Sequence, residues 1–195
     1  MTDTETLAVY DAQAEEYAAL TDAHDNPCLT AFLEMLPPKA RVLDLGCGPG
    51  ASAELMARAG CIVTATDASS EMVRLAAQRP GVTAHQATFD QITGTDCYDA
   101  IWANFSLLHA KRSALPDHLT ALRTALVPGG VFFIGMKTGT GGKRDPIGRH
   151  YEYYSHDALN SLLSDAGFTP GTHWAGEDKG LDGVMAKWVA ILADG

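Results

Sequence analysis

The chain has 195 residues, of which 46% are hydrophobic and 19% charged, a composition typical of one globular domain with its own core. Its formal net charge of -10 disfavours DNA, RNA and anionic membrane surfaces as partners, because proteins bind these polyanions largely through Lys and Arg. No apolar run is long enough to span a bilayer, and residues 1–7 lack the basic start of a secretion signal, so we expect a cytoplasmic protein.

Two helices are predicted first, over residues 4–20 and 26–36, the second with Asn26 as its N-cap and Pro27 in its first turn. After the break at residues 37–38, short apolar segments alternate with helix-like segments. Strands are predicted at residues 41–45, 61–66, 82–88, 98–103 and 131–136, with two closing strands at 168–174 and 184–192. Further helices are predicted at residues 51–59, 69–79, 115–126 and 155–166.

This alternation predicts an α/β fold with a doubly wound, mostly parallel sheet and helices on both faces. We expect a single domain over residues 1–195, in which residues 1–38 form a helical cap on a Rossmann-like core of residues 39–195. In such sheets, ligands bind at the carboxyl ends of the strands, near the point where the strand order reverses. Residues that directly follow strands are therefore the candidates for a functional site.

A glycine-rich turn follows the first strand, in the sequence Val-Leu-Asp-Leu-Gly-Cys-Gly-Pro-Gly at residues 42–50. Gly46 and Gly48 would let a ligand approach the backbone, and the helix that follows offers free N–H groups. Asp44 would place a carboxylate in the same crevice, and Asp67 at the end of the second strand suits ribose hydroxyls. Residues 46–51 also fit the dinucleotide pattern G-x-G-x-x-[GA], so these residues alone indicate a nucleoside cofactor and leave its identity open.

The stretch at residues 44–50, with an acid ahead of its glycines, resembles motif I of the class I S-adenosylmethionine-dependent methyltransferases. The resemblance continues at residues 66–69, 87–90, 98–104, 126–130 and 155–168. It implies a seven-stranded sheet with an antiparallel C-terminal strand, S-adenosylmethionine as methyl donor, S-adenosylhomocysteine as product and a small-molecule acceptor. The cofactor-binding residues that it implies are Tyr17, Asp44, Gly46, Cys47, Gly48, Asp67, Ala68, Met72, Thr88, Phe89 and Asn104.

Three of these positions have a second interpretation. The family often has an acid where Thr88 stands, and a hydroxyl would accept a hydrogen bond from adenine more weakly. Phe89 would cover the adenine or serve as a core aromatic. Tyr17 lies in a stretch similar to the family's tyrosine-containing N-terminal helix, yet it also fits an ordinary amphipathic helix with two half-buried tyrosines.

The acceptor side has few candidate residues. Asn104 and Ser106 end or follow the fourth strand and should face the crevice, and His109 comes shortly after them. Asn104 and His109 are therefore the candidate catalytic residues, with His109 as a possible general base. A histidine satisfied by its neighbours is the more ordinary interpretation of His109.

Residues 138–148 contain several glycines and, with their flanks, a cluster of Lys and Arg in an otherwise acidic chain. This pattern predicts a flexible basic lid that closes over an anionic acceptor, with Arg149 and Tyr153 as substrate contacts. A solvated surface loop is the commoner interpretation of such a charge cluster. The region at residues 148–155 resembles small bacterial methyltransferases, some of them described as tellurite-resistance-like.

Alternatives to a small-molecule methyltransferase remain open at this point. A nicotinamide-dependent (NAD) oxidoreductase would share the glycine turn and Asp67, and a non-catalytic protein would bind the cofactor as a sensor. Methylation of protein or RNA is disfavoured by the short, acidic chain and by the lack of an Asn-Pro-Pro-Tyr-type motif after the fourth strand. The four cysteines form no CxxC pair and have no His at zinc-like spacing, so we expect reduced thiols and no metal site.

Overall fold

The computed structural model describes residues 3–21 and 26–195, and its elements follow the predicted order. The helices are α1 (Thr4–Ala12), α2 (Ala14–Thr21), α3 (Pro27–Glu34), α4 (Ala51–Arg58), α5 (Ser70–Ala76), α6 (Leu115–Ala125) and α7 (His156–Asp165). The strands are β1 (Arg41–Leu45), β2 (Ile62–Asp67), β3 (Val82–Gln86), β4 (Tyr98–Asn104), β5 (Leu126–Lys137), β6 (Gly142–Arg144), β7 (His150–Glu152), β8 (Thr169–Lys179) and β9 (Met185–Asp194). None of the helices in these ranges has the length and apolar character needed to cross a membrane.

Within the described residues, one sheet of seven strands has the order β3-β2-β1-β4-β5-β9-β8. Strands β1 to β5 are parallel to one another, whereas β9 runs antiparallel to both β5 and β8. The predicted Rossmann-like α/β fold with an antiparallel C-terminal strand is confirmed. The strand order reverses between β1 and β4, which makes their carboxyl ends the expected place for a ligand.

The two faces of this sheet carry two separate apolar layers, because successive residues of a strand point to opposite sides. One face packs under α6 and α7, and the other under α3 and α4. In β4, for example, Ile101 contributes to the first layer and Trp102 to the second. Trp102 stacks on Phe133 of β5 with ring centroids 3.8 Å apart and touches Phe32 of α3. The helical cap therefore shares a core with the sheet.

Three helix starts are capped by side chains, and the first of them, Asn26, is the predicted N-cap. Asn26 accepts hydrogen bonds from the N–H groups of Cys28 and Leu29. Ser69 accepts one from Met72 N–H, and Ser155 caps α7 in the same way. Side chains of this kind satisfy donors that the first helical turn leaves free, which explains why the sequence locates these boundaries well.

Residues 4–20, predicted as one helix, form two. The break lies at Gln13, whose φ of -116° and ψ of 21° leave the helical region. Nothing in the local composition requires this break, so tertiary contacts decide it. One such contact fixes α1, since the hydroxyl of Ser69 donates to the Asp11 carboxylate at 2.6 Å.

The predicted loop over residues 138–148 contains the short strand β6. Strand β6 pairs with β7 in an antiparallel hairpin, and Arg144 on it forms ion pairs with Asp3 at 2.7 Å and Glu5 at 3.2 Å. The glycines serve turn geometry here, since Gly141 and Gly148 have φ angles of +70° and +100°. We refer to Gly142–Glu152 as the basic hairpin.

Candidate active site

A cavity of about 790 Å³ opens at the carboxyl ends of the parallel strands, where the strand order reverses. Its walls come from α1 to α3, from the turns after β1, β2, β3 and β4, and from β8 and β9. The size falls within the range of small-molecule and cofactor sites. All the predicted cofactor-binding residues line it: Tyr17, Asp44, Gly46, Cys47, Gly48, Asp67, Ala68, Met72, Thr88, Phe89 and Asn104.

The glycine turn after β1 brings bare backbone to the cavity wall. Gly46 and Gly48 have φ angles of +69° and +52°, a region that L side chains rarely adopt. A Cβ atom on Gly46 would overlap the Cβ of Ser106, and one on Gly48 would lie 3.4 Å from the Tyr17 ring. The N–H groups of Gly46 and Cys47 donate to the Thr66 carbonyl at 2.7 and 2.9 Å, which ties the turn to the end of β2.

Asp44, at the end of β1, is a buried carboxylate that is only 3% exposed. Its Oδ2 atom has no hydrogen-bond partner among the described residues. Burial, with a smaller contribution from the nearby Asp67, raises the pKa of Asp44 from 3.8 to about 8. A buried acceptor without a hydrogen-bond partner destabilises the protein, so Oδ2 is suited to accept from a ligand donor such as the ammonium of a bound amino acid.

Asp67, at the end of β2, is held by backbone N–H groups. Its Oδ2 accepts from Gly48 and its Oδ1 from Ser69, both at 2.9 Å. Burial nevertheless raises the pKa of the Asp67 carboxyl above its usual value. Each carboxylate oxygen can accept more than one hydrogen bond, so Asp67 retains acceptor capacity for ribose hydroxyls. Ala68 and Met72 line the cavity next to it.

Thr88 and Phe89 follow β3 at the opposite side of the glycine turn. The Thr88 hydroxyl donates to Gln91 Oε1 at 3.0 Å and its oxygen accepts from the Gln91 N–H, which leaves one lone pair to accept a further hydrogen bond. Phe89 combines both interpretations of its role, since it lines the cavity, packs on the main core and meets His118 edge-on at 5.7 Å.

His109 lines the cavity as part of a buried hydrogen-bond network. Its Nδ1 lies 2.6 Å from the His150 carbonyl, which can only accept, so Nδ1 carries the proton. The hydroxyl of Tyr10 then donates to His109 Nε2 at 2.9 Å and accepts from Arg149 at 3.3 Å. Burial lowers the pKa of His109 from 6.5 to about 4, so the ring is neutral. Arg149 in turn pairs with Asp145 at 2.8 Å.

The predicted substrate contacts, Arg149 and Tyr153, do not line the cavity. Arg149 is 2% exposed and lies between the Tyr10 and Tyr151 rings, whereas Tyr153 lies under Lys143 on the basic hairpin. The sequence shows cationic residues in and after a glycine loop, but it does not show their partners, which are Asp3 for Arg144 and Asp145 for Arg149.

Asn104 reaches the cavity at the end of β4, as predicted, with its amide against the backbone of Gly135. The next residue, Phe105, adopts a φ of +53°, which is unusual for a bulky side chain. Such backbone strain persists where the surrounding structure imposes it, and it is concentrated at functional sites. The Phe105 ring lines the cavity and meets Trp188 edge-on at 6.1 Å.

Sequence reasoning missed most of the far wall of the cavity. All three tryptophans of the chain line it, Trp102 from β4, Trp174 from β8 and Trp188 from β9. No local motif marks these residues, and their convergence depends on the antiparallel insertion of β9 between β5 and β8. In residues 3–21 and 26–195, no three His, Cys, Asp or Glu side chains come together as a metal site requires.

Comparisons with known proteins agree with this geometry. Residues 42–130 match a family model described as a methyltransferase domain. A trans-aconitate 2-methyltransferase of Rhodopseudomonas palustris (strain BisB18) is 36% identical over 137 residues, which cover 65% of this chain and 50% of the relative. A malonyl-[acyl-carrier protein] O-methyltransferase of Enterobacter lignolyticus (strain SCF1) is 34% identical over 105 residues, covering 52% and 41%. The chain spans about half the length of the curated relatives it matches.

A solved structure has the same fold over the full length of the chain. It is the 1,6-didemethyltoxoflavin-N1-methyltransferase of Burkholderia thailandensis, with a TM-score of 0.78 and 23% identity, covering 100% of this chain and 90% of that one. That protein was solved with 1,6-didemethyltoxoflavin and S-adenosylhomocysteine bound. The chain therefore contains a match to a methyltransferase domain at residues 42–130, and it is similar in sequence and fold to known methyltransferases.

Proposed function

We propose that this chain transfers the methyl group of S-adenosylmethionine to a small-molecule acceptor bound in the same cavity. The observation that carries the proposal is the arrangement at the ends of β1 and β2. There, the unpartnered Asp44 oxygen, the bare glycine turn and the Asp67 carboxylate face one cavity. These three features suit the ammonium, the amino-acid backbone and the ribose of one molecule.

When bound, S-adenosylmethionine would supply an electrophilic methyl group, to which an acceptor atom would bond in line as the carbon–sulfur bond breaks and S-adenosylhomocysteine leaves. The chain's own residues bind the cofactor and orient it towards the acceptor. Asp44 accepts hydrogen bonds from the ammonium and Asp67 from the ribose hydroxyls. Thr88 and Phe89 flank the adenine, and Tyr17 covers the glycine turn. Asn104 lies beside the acceptor.

His109 does not act as a general base in this proposal. Its Nε2 lone pair already accepts from Tyr10, and its pKa of about 4 makes it a weak proton acceptor at neutral pH. A second proton would also place a cation beside Arg149, whose charge contributes to the lowered pKa. We propose that His109 positions the Tyr10 hydroxyl in the cavity wall, and that any acceptor proton leaves to water.

The two curated relatives are named for acidic acceptors, and an anionic acceptor of this chain would need a counter-ion in the cavity. Its counter-ion would be Lys179, because the other charged residues among the described lining are Asp3, Asp44, Asp67 and Asp178. Both arginines of the basic hairpin are paired with carboxylates, Arg144 with Asp3 and Arg149 with Asp145.

A catalytic test separates this proposal from a protein that only binds the cofactor. The purified protein is incubated with S-adenosylmethionine and defined pools of small molecules that carry O–H, N–H or S–H groups, and S-adenosylhomocysteine is quantified by mass spectrometry. We expect product with at least one pool, and none with the same pool and the Asp44→Ala variant. If S-adenosylhomocysteine binds but no pool yields product above the pool-free control, the protein is a cofactor-binding module and the proposal fails.

A further inference from the structure

The cavity has a second arm beyond the residues assigned to the cofactor. The cofactor residues lie mostly at the ends of β1, β2 and β3, on one side of the point where the strand order reverses. On the other side, β4, β5, β8 and β9 line the cavity with aromatic rings. We call this set the aromatic arm: Trp102, Phe105, Phe133, Trp174 and Trp188.

Trp188 is the most firmly oriented half-buried ring of the aromatic arm. Its indole N–H donates to the Asp178 carboxylate at 2.6 Å, and its ring lies directly over Gly176, where any Cβ atom would overlap it. Phe105 meets it edge-on, held there by a left-handed backbone. The ring plane is therefore fixed from three directions, and a rigid aromatic plate offers a large contact area at low entropic cost.

The polar groups of the aromatic arm are few and mostly engaged. Asp178 is bound to Trp188, and Lys179 is an exposed residue at the end of β8. Trp102 and Phe133, which form the floor, are each only 1% exposed and stacked on one another. A small multiply charged acid would lose its hydration on entering this arm, which carries a large desolvation cost. Among the described residues that line the cavity, Lys179 is the only Lys or Arg that could compensate for it.

We propose that the aromatic arm selects an uncharged, planar aromatic or heteroaromatic acceptor, with Trp188 and Trp174 as the residues that determine specificity. This inference rests on the proposed function, because it assigns the acceptor class of the same cavity. The acceptor stacks against these rings with its nucleophilic oxygen or nitrogen directed towards Asn104 and the residues assigned to the cofactor. Asp178 acts as a positioning residue that fixes the Trp188 plane.

The test uses saturation-transfer difference NMR on protein loaded with S-adenosylhomocysteine, which also keeps the probes out of the adenine site. The probes are 2-naphthol, its saturated counterpart decahydro-2-naphthol, and trans-aconitate. The first two share a carbon skeleton and are uncharged near neutral pH, so they differ mainly in aromaticity and in the planarity that accompanies it. The variants are Trp188→Leu and Trp174→Leu, Trp188→Phe as the conservative replacement, and Lys187→Ala as an exposed control on the same strand.

We expect 2-naphthol to bind more tightly than the other two probes, with about tenfold weaker binding in Trp188→Leu and Trp174→Leu. Trp188→Phe should retain part of the binding, and Lys187→Ala all of it. Binding of S-adenosylhomocysteine, measured in each sample by calorimetry, verifies that a variant is folded and tests the cofactor site separately. Equal binding of the two naphthalene-derived alcohols, preference for trans-aconitate, or 2-naphthol binding unchanged in both folded leucine variants would overturn the inference.

Discussion

Replacing Asp44 by Asn should make the ligand-free protein more stable at alkaline pH while abolishing its response to the cofactor. The wild-type carboxyl is 3% exposed, its Oδ2 has no hydrogen-bond partner among the described residues, and burial raises its pKa from 3.8 to about 8. An asparagine of the same shape carries no charge, so the energetic cost of ionising a buried group disappears.

The expected magnitude follows from proton linkage. Because the folded-state pKa is raised, the folded protein holds more protons than the unfolded chain between pH 3.8 and about 8. The contribution of Asp44 to stability is therefore fully present below pH 3.8 and is lost as the pH rises through about 8. Each pKa unit corresponds to about 1.36 kcal/mol, so the loss at pH 8 amounts to about 5 kcal/mol.

The assay is urea unfolding of both proteins at intervals from pH 4 to pH 9, without ligand and with S-adenosylhomocysteine. We expect the difference in unfolding free energy between Asp44→Asn and wild type to grow steadily up to about pH 8 and then level off. Ligand should stabilise the wild type and leave the variant almost unchanged, because the ammonium loses its carboxylate. Parallel stability curves for the two ligand-free proteins would refute the claim that Asp44 is a strained, unpartnered carboxylate.

Other substitutions probe the glycine turn, the proposed ribose site and His109. Gly46→Ala should lower the free energy of unfolding in urea by several kcal/mol, because a Cβ atom there overlaps Ser106 and the φ angle is +69°. Gly60→Ala has open space around it and should cost only about 1 kcal/mol, from backbone strain. Equal costs for the two variants would contradict the close approach of Gly46 to Ser106. Asp67→Asn, which keeps one acceptor oxygen for the turn, should weaken S-adenosylhomocysteine binding about 10- to 100-fold by calorimetry, and unchanged affinity would remove Asp67 from the ribose site. His109→Phe should leave that affinity within about threefold but destabilise the protein by about 2 kcal/mol. Since the pKa of His109 is lowered to about 4, its contribution to stability is present above pH 6.5 and lost as the pH falls towards 4, and this dependence should vanish in the variant.

The order and type of the elements were predictable because the determining contacts are local. Asn26, Ser69 and Ser155 cap their helices through side-chain bonds two or three residues away. Apolar runs such as residues 41–45 have the length of a buried strand. The contact of α1 with Ser69 and the ion pairs that hold the basic hairpin against α1 were not predictable, because they join residues distant in sequence.

The proposed cofactor side of the cavity could also be predicted, because most of its residues are close together in sequence. Asp44, Gly46 and Gly48 lie in one short turn, and the fold places the end of β2 beside it. The acceptor side is assembled from β4, β8 and β9, so Trp174 and Trp188 carry no motif of their own. Arg149 misled the prediction because its charge is neutralised by Asp145 four residues away, within the basic hairpin.

The central claim is that the cavity binds the sulfur nucleoside cofactor of the methyltransferases. The most direct test is the melting temperature of the purified protein alone and with S-adenosylmethionine, S-adenosylhomocysteine or NAD. A ligand that binds only the folded state increases the free energy of unfolding by RT ln(1 + [L]/Kd) and therefore raises the melting temperature. A clear rise with the two sulfur nucleosides and none with NAD is the result that we predict. A rise with NAD alone would mean that the glycine turn serves a dinucleotide, and the assignment of Asp44 to an ammonium group would be wrong.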